Sequence, residues 1–277
     1  MNSYLHPDSF IVTKEHRRFV EFCDACRKYC YIGLCYGPPG VGKTLSARTY
    51  ANWDRFEVLN ERFLDGQLPQ DRKILNCRTI LYTPPVVNSP RNVAQSISRM
   101  RMDLSTLVHT IKDFVESDGK IELSEILLNF SGPDITKLII VDEADRMKTA
   151  SLEQMRDIYD RQPIGLVLIG MPGIEKRLAR YPQLYSRVGF VHHFKTLSHE
   201  EVRFILAHKW QQLNMTLDIN DFTDTETLGT IIRVTGGNFR LLHRLFAQIE
   251  RIIEINEVFT VTKEVVEAAR ELLIIGP

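Results

Sequence analysis

A glycine-rich segment near the N-terminus has the residue types and spacing of a phosphate-binding loop. It reads Gly37-Pro38-Pro39-Gly40-Val41-Gly42-Lys43-Thr44 and is followed by Leu45. Its glycines allow a tight turn whose backbone N–H groups face a phosphate, and the helix expected after it adds a favourable dipole. The pattern G-x-x-x-x-G-K-[ST] predicts that Lys43 reaches the β- and γ-phosphates of a nucleotide and that the Thr44 hydroxyl holds Mg²⁺. The sequence therefore predicts an ATP–Mg²⁺ site built on residues 37–45.

Two adjacent carboxylates end an apolar segment about a hundred residues further along. Residues 138–141 read Leu-Ile-Ile-Val, and Asp142 and Glu143 follow them directly. A buried strand that ends in acids places them at the edge where open α/β sheets bind ligands. Asp142 is then expected to hold the Mg²⁺ shell, and Glu143 to orient and deprotonate the attacking water. Together with the glycine-rich loop, this pair predicts nucleotide hydrolysis.

The elements that must position these residues follow from the alternation of short apolar segments with helical patterns. This alternation predicts an α/β fold with a parallel sheet flanked by helices. The predicted strands cover residues 29–36, 78–83, 137–141, 165–170 and 190–194. The predicted helices cover residues 14–28, 43–53, 90–117, 123–129 and 150–160. The glycine-rich loop thus lies between a strand and a helix, as phosphate binding requires.

The pattern becomes wholly helical after Leu197. Ser198 and Glu201 form a predicted capping box at the start of the first C-terminal helix, because they stand three residues apart before an apolar run. We therefore predict an α/β nucleotide-binding domain over residues 1–195 and a small all-helical domain over residues 196–277.

Composition limits the classes of partner and compartment. The chain has 277 residues, 35 basic and 35 acidic side chains, and 44% hydrophobic residues, which is typical of globular proteins. No apolar run approaches the roughly 20 residues of a membrane span, and the N-terminus lacks a signal-peptide pattern. Five cysteines are an odd set for disulfides, which favours a reducing, cytoplasmic location. A net charge of zero argues against a monomeric, freely basic nucleic-acid binder.

The two nucleotide motifs and the helical tail together resemble AAA+ ATPases, and two arginines support the resemblance. Arg187, in Tyr-Ser-Arg before the last predicted strand, resembles the arginine finger that stabilises charge in a neighbouring subunit's site. Arg240, in Gly-Asn-Phe-Arg at a helix start, resembles the second sensor, which contacts the nucleotide from the lid. Arg177 and Arg180 compete with Arg187 for the finger role. A finger supplied to a neighbour implies head-to-tail assembly into a ring or a helical filament.

A methionine stands where the superfamily usually has a polar sensor residue. Met171 follows the strand 165–170, where AAA+ proteins usually place a polar first sensor. A thioether is only a weak hydrogen-bond acceptor, so it is a poor group for aligning water or sensing the γ-phosphate. The substitution favours slow, regulatory ATP hydrolysis over motor activity.

Within the superfamily, the chain resembles the MuB/TniB/TnsC group of transposition regulators, and especially the short TniB and TnsC type. The resemblance rests on compact size, on the continuation Asp-Glu-Ala-Asp-Arg-Met over residues 142–147, and on Leu-Ile-Gly-Met-Pro-Gly over residues 168–173. It implies ATP-dependent, sequence-independent binding of double-stranded DNA by a homo-oligomer. It also implies recruitment or activation of a transposase, with a TniQ-like targeting protein as a further partner.

The expected DNA contacts lie after the second predicted strand. Residues 88–102 carry Arg91, Arg99 and Arg101 with no acid, and Lys120 lies in a later break. In the resembled group this region faces the axis of an ATP-bound filament, where basic side chains neutralise DNA phosphates. Stacked subunits would repeat this local basic stripe along a duplex, which reconciles DNA binding with zero net charge.

Two other functions are compatible with the same motifs. One is an AAA+ ATPase that acts on protein partners in signalling or remodelling, although residues 83–88 lack the aromatic residue usual in protein-threading pore loops. The other is a relative of replication initiators or helicase loaders.

Overall fold

A computed structural model of the chain describes residues 10–67, 71–117, 132–212, 221–257 and 260–273. The predicted helix over 123–129 lies outside these ranges. The contacts divide the chain into two compact units. The first, which we call the helical unit, comprises Met1–Arg18, Pro38–Gly42 and Phe194–Pro277. The second, the sheet unit, comprises Phe19–Gly37 and Lys43–His193.

The sheet unit contains a five-stranded parallel sheet, which confirms the predicted α/β class. Its strands are β1 (Ile32–Tyr36), β2 (Thr79–Tyr82), β3 (Leu138–Val141), β4 (Gly165–Gly170) and β5 (Val188–His193), in the spatial order β2-β3-β4-β1-β5. β3 and β4 are buried along their whole length, as expected for parallel strands covered on both faces. The edge strand β5 alternates half-buried and exposed residues, a pattern typical of a strand with one face exposed to solvent.

The helices of the sheet unit that begin at residues 43, 90 and 149 agree with the predicted helices, whereas those that begin at residues 53, 174 and 182 are not among the predicted ones. They are α2 (Lys43–Tyr50), α3 (Trp53–Leu64), α4 (Pro90–Glu116), α5 (Thr149–Asp160), α6 (Ile174–Leu178) and α7 (Pro182–Tyr185). α4 starts with Ser89 as N-cap, whose side chain accepts a hydrogen bond from the Asn92 backbone, and with a proline in its first turn. α1 (Lys14–Tyr29) runs through both units and buries Phe19, Cys23 and Cys26 completely.

The C-terminal part of the chain is helical, as predicted. Its helices are α8 (His199–Gln212), α9 (Phe222–Thr235), α10 (Phe239–Asn256) and α11 (Lys263–Glu271). The capping box is confirmed, because the Glu201 backbone donates to Ser198 Oγ at 3.2 Å and the Ser198 backbone donates to Glu201 Oε2 at 3.0 Å. The core of this unit includes the buried Trp210, whose ring centroid lies 5.3 Å from that of Phe246. Within the described ranges, no helix combines the length and apolar character that a membrane crossing requires.

Candidate nucleotide site

The lysine of the glycine-rich loop lies at the carboxyl end of β1. Tyr36 ends the strand, Gly37 follows it, and Lys43 opens α2. The Lys43 ammonium donates to the Gly37 carbonyl at 2.6 Å and lies 3.9 Å from the Met171 sulfur. This places a cation at the turn between strand and helix, where a phosphate group would meet it.

The middle of the same loop adopts a backbone conformation that favours glycine. Gly40 and Gly42 have φ values of +78° and +105°. In the helical unit, the Asn238 side chain donates to the Pro39 carbonyl at 2.9 Å, and the Arg240 backbone donates to the Gly40 carbonyl at 2.9 Å. A Cβ on Gly40 would lie 2.5 Å from Asn238 Oδ1, so only glycine fits this approach. Residue 240, the predicted second sensor, is therefore anchored to the loop through its backbone, while its side chain is exposed.

Thr44 and Asp142 form the hydroxyl–carboxylate pair that the sequence predicts for Mg²⁺. Asp142 is 3% exposed and accepts hydrogen bonds from the Thr44 hydroxyl and, at 2.9 Å, from the Glu143 backbone. Burial raises the pKa of Asp142, and the hydrogen bond from Thr44 partly offsets that rise. Hydroxyl and carboxylate oxygens are the hard ligands that Mg²⁺ prefers, and a nearby divalent cation would compensate the buried carboxylate. The donor set therefore fits Mg²⁺.

Glu143, the predicted catalytic base, is held in an unusual conformation directly after this pair. Its φ is +51°, in the left-handed region that non-glycine residues rarely adopt. Its carboxylate is 45% exposed and ion-paired with Arg146. Strained backbone of this kind is concentrated at functional sites.

The turn that carries Glu143 is fixed by contacts that the sequence does not reveal. Asp145 accepts a hydrogen bond from the Met171 backbone at 2.7 Å, which joins the turn to the end of β4. Arg177 donates to the backbone carbonyls of Asp145, at 2.7 Å, and Met147. Arg177, one of the three finger candidates, thus supports the turn that carries Glu143. The sequence signal for this turn is the continuation Asp-Glu-Ala-Asp-Arg-Met over residues 142–147.

The other two finger candidates differ in their partners. Arg187 makes a two-point ion pair with Asp160, at 2.6 and 2.9 Å, and its side chain is 33% exposed. Arg180 is exposed, and its side chain makes no hydrogen bond or ion pair within the described part of the chain. Arg187 directly precedes Val188, the first residue of β5, and Val188 pairs with Ile32 at the start of β1. Arg187 therefore lies at the amino end of these parallel strands. The length of β1, about 13 Å, separates this end of the sheet from the glycine-rich loop.

The predicted DNA-contact region forms the first half of α4 and exposes a polar stripe. Arg91 and Arg99 are both exposed, and they are spaced eight residues apart, close to the same side of the helix. The exposed positions of this stretch are Arg91, Asn92, Gln95, Ser98, Arg99 and Met102. The stripe contains hydrogen-bond donors and no acid. Its one ion pair within the described residues joins Arg99 to Asp103, at 3.8 Å.

The remaining two residues predicted to contact DNA are placed differently. The Arg101 side chain is 12% exposed, forms an ion pair with Asp134 at 2.5 Å and donates to the Gln162 side chain. Its guanidinium thus joins α4 to two distant segments, and these contacts within the protein occupy it. Lys120 lies outside the described residues.

Comparison with known proteins gives one family and one close relative. A family model described as an AAA domain matches residues 26–178. A protein of Staphylococcus aureus named "Potential ATP-binding protein" is 49% identical over 272 residues, which cover 97% of each chain.

Solved structures with the same fold are more distant in sequence. The RuvB Holliday junction branch migration motor of Thermotoga maritima has a TM-score of 0.58 at 16% identity, over 96% of this chain and 71% of that one. The ADP form of the Aeropyrum pernix ORC2 protein has a TM-score of 0.57 at 15% identity, over 98% of this chain and 71% of that one. At this identity the likeness shows the fold alone.

Proposed function

The chain belongs to the family of AAA domains, and we propose that it is a slow ATPase that assembles on double-stranded DNA and regulates transposition. The observation that carries the ATPase proposal is the cluster of Lys43, Thr44, Asp142 and Glu143 at the carboxyl ends of β1 and β3. This edge of a parallel sheet is where ligands bind in open α/β folds.

Each member of the cluster has a distinct role in this proposal. Lys43 neutralises charge on the β- and γ-phosphates, and Thr44 and Asp142 hold Mg²⁺. Bound Mg²⁺ supplies further neutralisation of phosphate charge. Glu143 orients water and takes its proton. Met171, the thioether beside Lys43, provides at most a weak acceptor for aligning water, and this supports slow turnover.

The position of Arg187 supports head-to-tail assembly. An arginine at the amino end of β5 lies at the opposite end of the sheet from its own glycine-rich loop, so its target is the site of another copy. Leaving Asp160 costs about 1 kcal/mol, the value of a partly exposed ion pair. An arginine finger gains roughly 10³- to 10⁵-fold in kcat, about 4–7 kcal/mol, so the exchange is favourable. Arg240 of the helical unit is proposed to contact the nucleotide from the lid.

The exposed stripe of α4 supports the DNA proposal. Arg91 and Arg99 offer two exposed cations, of which Arg99 also forms a 3.8 Å ion pair with Asp103, and the amide and hydroxyl groups beside them are suited to phosphate oxygens. Such contacts give binding that is independent of sequence and sensitive to salt. This chain shares its fold with the RuvB and ORC2 structures, and RuvB is named as a motor for branch migration of Holliday junctions.

Regulation of transposition rests on the resemblance to the MuB/TniB/TnsC group. In this proposal the ATP-bound oligomer marks target DNA and recruits or activates a transposase, with a TniQ-like protein as a further partner, and hydrolysis releases it. The short form of that group, in which the ATPase body itself binds DNA, agrees with the location of the exposed stripe on α4.

The decisive experiment is electron microscopy and co-sedimentation with duplex DNA, with and without a slowly hydrolysed ATP analogue. The wild-type protein should assemble on DNA only with the analogue. Lys43→Ala should lose nucleotide binding and therefore DNA binding, whereas Glu143→Gln should bind both and form long-lived assemblies in ATP. DNA binding that is indifferent to nucleotide and to both substitutions would refute the proposal.

A replication-initiator or helicase-loader function is the second candidate, favoured by the likeness to the ORC2 structure. The two functions differ in what the assembled protein recruits. Stimulation of strand transfer by a purified transposase supports the first function, and loading of a replicative helicase without such stimulation supports the second.

A further inference from the structure

The outward side of α10 carries two arginines that form no ion pair within the described part of the chain. Arg244 and Arg251 are exposed and stand seven residues apart, which places them on the same side of the helix. At 1.5 Å per residue they are roughly 10 Å apart along its axis, with the exposed Ala247 between them. We call this pair the arginine row. The opposite side of α10 is buried in the core of the helical unit through Leu242, Leu245, Phe246 and Ile249.

The outward side of α11 carries the opposite charge at the same spacing. Glu264 and Glu271 are exposed and also stand seven residues apart, and the exposed Glu267 lies between them. We call these three residues the glutamate row. Among the described residues none of the three forms an ion pair. On its other side α11 buries Val266 and Ala269 in the same core as the apolar side of α10.

The positions of the two rows favour pairing between copies of the chain. α10 and α11 pack against each other and share one core, and both rows face away from it, so each row is left without a counterion inside its own unit. Equal spacing lets both arginines meet a glutamate when the row of one copy lies along the row of another. The small Ala247 leaves the space between the arginines open to Glu267. Such a contact joins two different surfaces, so it can repeat from copy to copy.

We propose that the arginine row of α10 binds the glutamate row of α11 on a second copy of this chain. This inference rests on the proposed function, because it concerns the copies that assemble with ATP on DNA, and it adds a contact between helical units to that of the arginine finger. Exposed ion pairs are individually weak and are screened by salt. The contact therefore stabilises copies that nucleotide and DNA have already brought together, and it does not assemble free copies by itself.

The first test reverses the charge of each row and measures assembly on duplex DNA with a slowly hydrolysed ATP analogue, by co-sedimentation. The basic-reversed variant combines Arg244→Glu with Arg251→Glu, and the acid-reversed variant combines Glu264→Arg with Glu271→Arg. Each should raise the protein concentration for half-maximal assembly about 15-fold or more. Two attractions are lost and two repulsions are gained, and each is worth at least about two-fold.

A matched control separates this contact from a general effect of charge. Arg203 and Arg233 are exposed arginines of the same unit, on α8 and α9, outside both rows. Arg203→Glu combined with Arg233→Glu changes the net charge as much as the basic-reversed variant does. This control should assemble within about two-fold of the wild type, and a loss equal to that of the basic-reversed variant would overturn the inference.

The second test mixes the two reversed variants in equal amounts. In the mixture, the natural arginines of one variant face the natural glutamates of the other, and the introduced arginines face the introduced glutamates. Every junction between unlike copies then joins opposite charges, so half-maximal assembly should return to within about three-fold of the wild-type concentration. A chain that carries all four substitutions should recover in the same way. A mixture that assembles as poorly as its components would contradict the pairing.

Binding of the arginine row to DNA phosphates gives a different pattern. In that case only the basic-reversed variant would assemble poorly and the acid-reversed variant would equal the wild type, which overturns the inference. If the acid-reversed variant fails to fold, as judged by circular dichroism, Glu267→Arg with Glu271→Arg replaces it with the same expectations, since it leaves the first turn of α11 unchanged.

Failure of the proposed function is distinguishable from failure of this contact. If the wild type itself does not assemble on DNA with the analogue, both are wrong. If the wild type assembles and both reversed variants assemble equally well, only the contact between helical units is wrong.

Discussion

Gly40 and Gly42 form a matched pair of positions for testing how the glycine-rich loop binds nucleotide. Both have positive φ values, +78° and +105°. An added Cβ at Gly42 would meet no atom within 4 Å, whereas at Gly40 it would lie 2.5 Å from Asn238 Oδ1 and 3.0 Å from Arg240 Cβ. Alanine at either position therefore meets the same kind of backbone strain, but only Gly40→Ala meets a neighbour.

The two costs can be estimated separately. Alanine in the left-handed region costs about 1–2 kcal/mol. This cost shifts the loop away from the conformation that binds phosphate, so Gly42→Ala should raise the Kd for nucleotide about 5- to 30-fold. Gly40→Ala also displaces Asn238 and loses its hydrogen bond to Pro39, which is worth about 0.5–1.5 kcal/mol. The total of roughly 1.5–3.5 kcal/mol predicts a 10- to 400-fold higher Kd.

Titration of each variant with a fluorescent ATP analogue at fixed Mg²⁺ measures these differences, and circular dichroism checks that both variants fold. In an Asn238→Ala background only the 3.0 Å approach to Arg240 Cβ remains, so the added cost of Gly40→Ala should fall toward that of Gly42→Ala. Wild-type affinity in Gly42→Ala would refute the requirement for a left-handed backbone. Equal affinities of the two single variants would refute the role of the Asn238 contact.

Three further predictions concern the arginine finger and the helical unit. Arg187→Ala should lower kcat of the assembled protein by about 10³-fold or more, and Arg180→Ala should change it less than three-fold, in steady-state ATPase assays; the reverse ranking would assign the finger to Arg180. Trp210→Ala should cost about 3–5 kcal/mol in urea unfolding followed by circular dichroism, because it leaves a cavity in a buried core; a loss under 1 kcal/mol would contradict this placement. Burial lowers the pKa of His16 and His243, so the folded chain binds fewer protons than the unfolded chain just below pH 6.5. Thermal stability should therefore fall as the pH is lowered from 7.5 to 5.5, and it should fall less in His16→Gln.

The sequence by itself determined the fold class and predicted the nucleotide chemistry, because both depend on local patterns. Short continuous apolar runs bounded by turn residues favour buried strands over helices, so β3 and β4 were predicted almost to the residue. The glycine-rich loop and Asp142 with Glu143 are short motifs whose spacing specifies phosphate and metal chemistry. The capping box at Ser198 is local in the same way, since its two hydrogen bonds join residues three apart.

Tertiary structure decided the contacts between residues that are distant in the chain. Arg101 belongs to an acid-free stretch of the sequence, but packing brings Asp134 and Gln162 to it. Its guanidinium is therefore occupied by an ion pair and a hydrogen bond within the protein. Arg177 supports the turn that carries Glu143 because α6 places it beside backbone carbonyls some thirty residues earlier. Arg146 reaches both Glu143 and the loop after β2 only because β2 and β3 are neighbours in the sheet. Periodicity shows which side chains face inward, but the partner that each one meets depends on how strands and helices pack, and that is fixed only when the whole chain has folded.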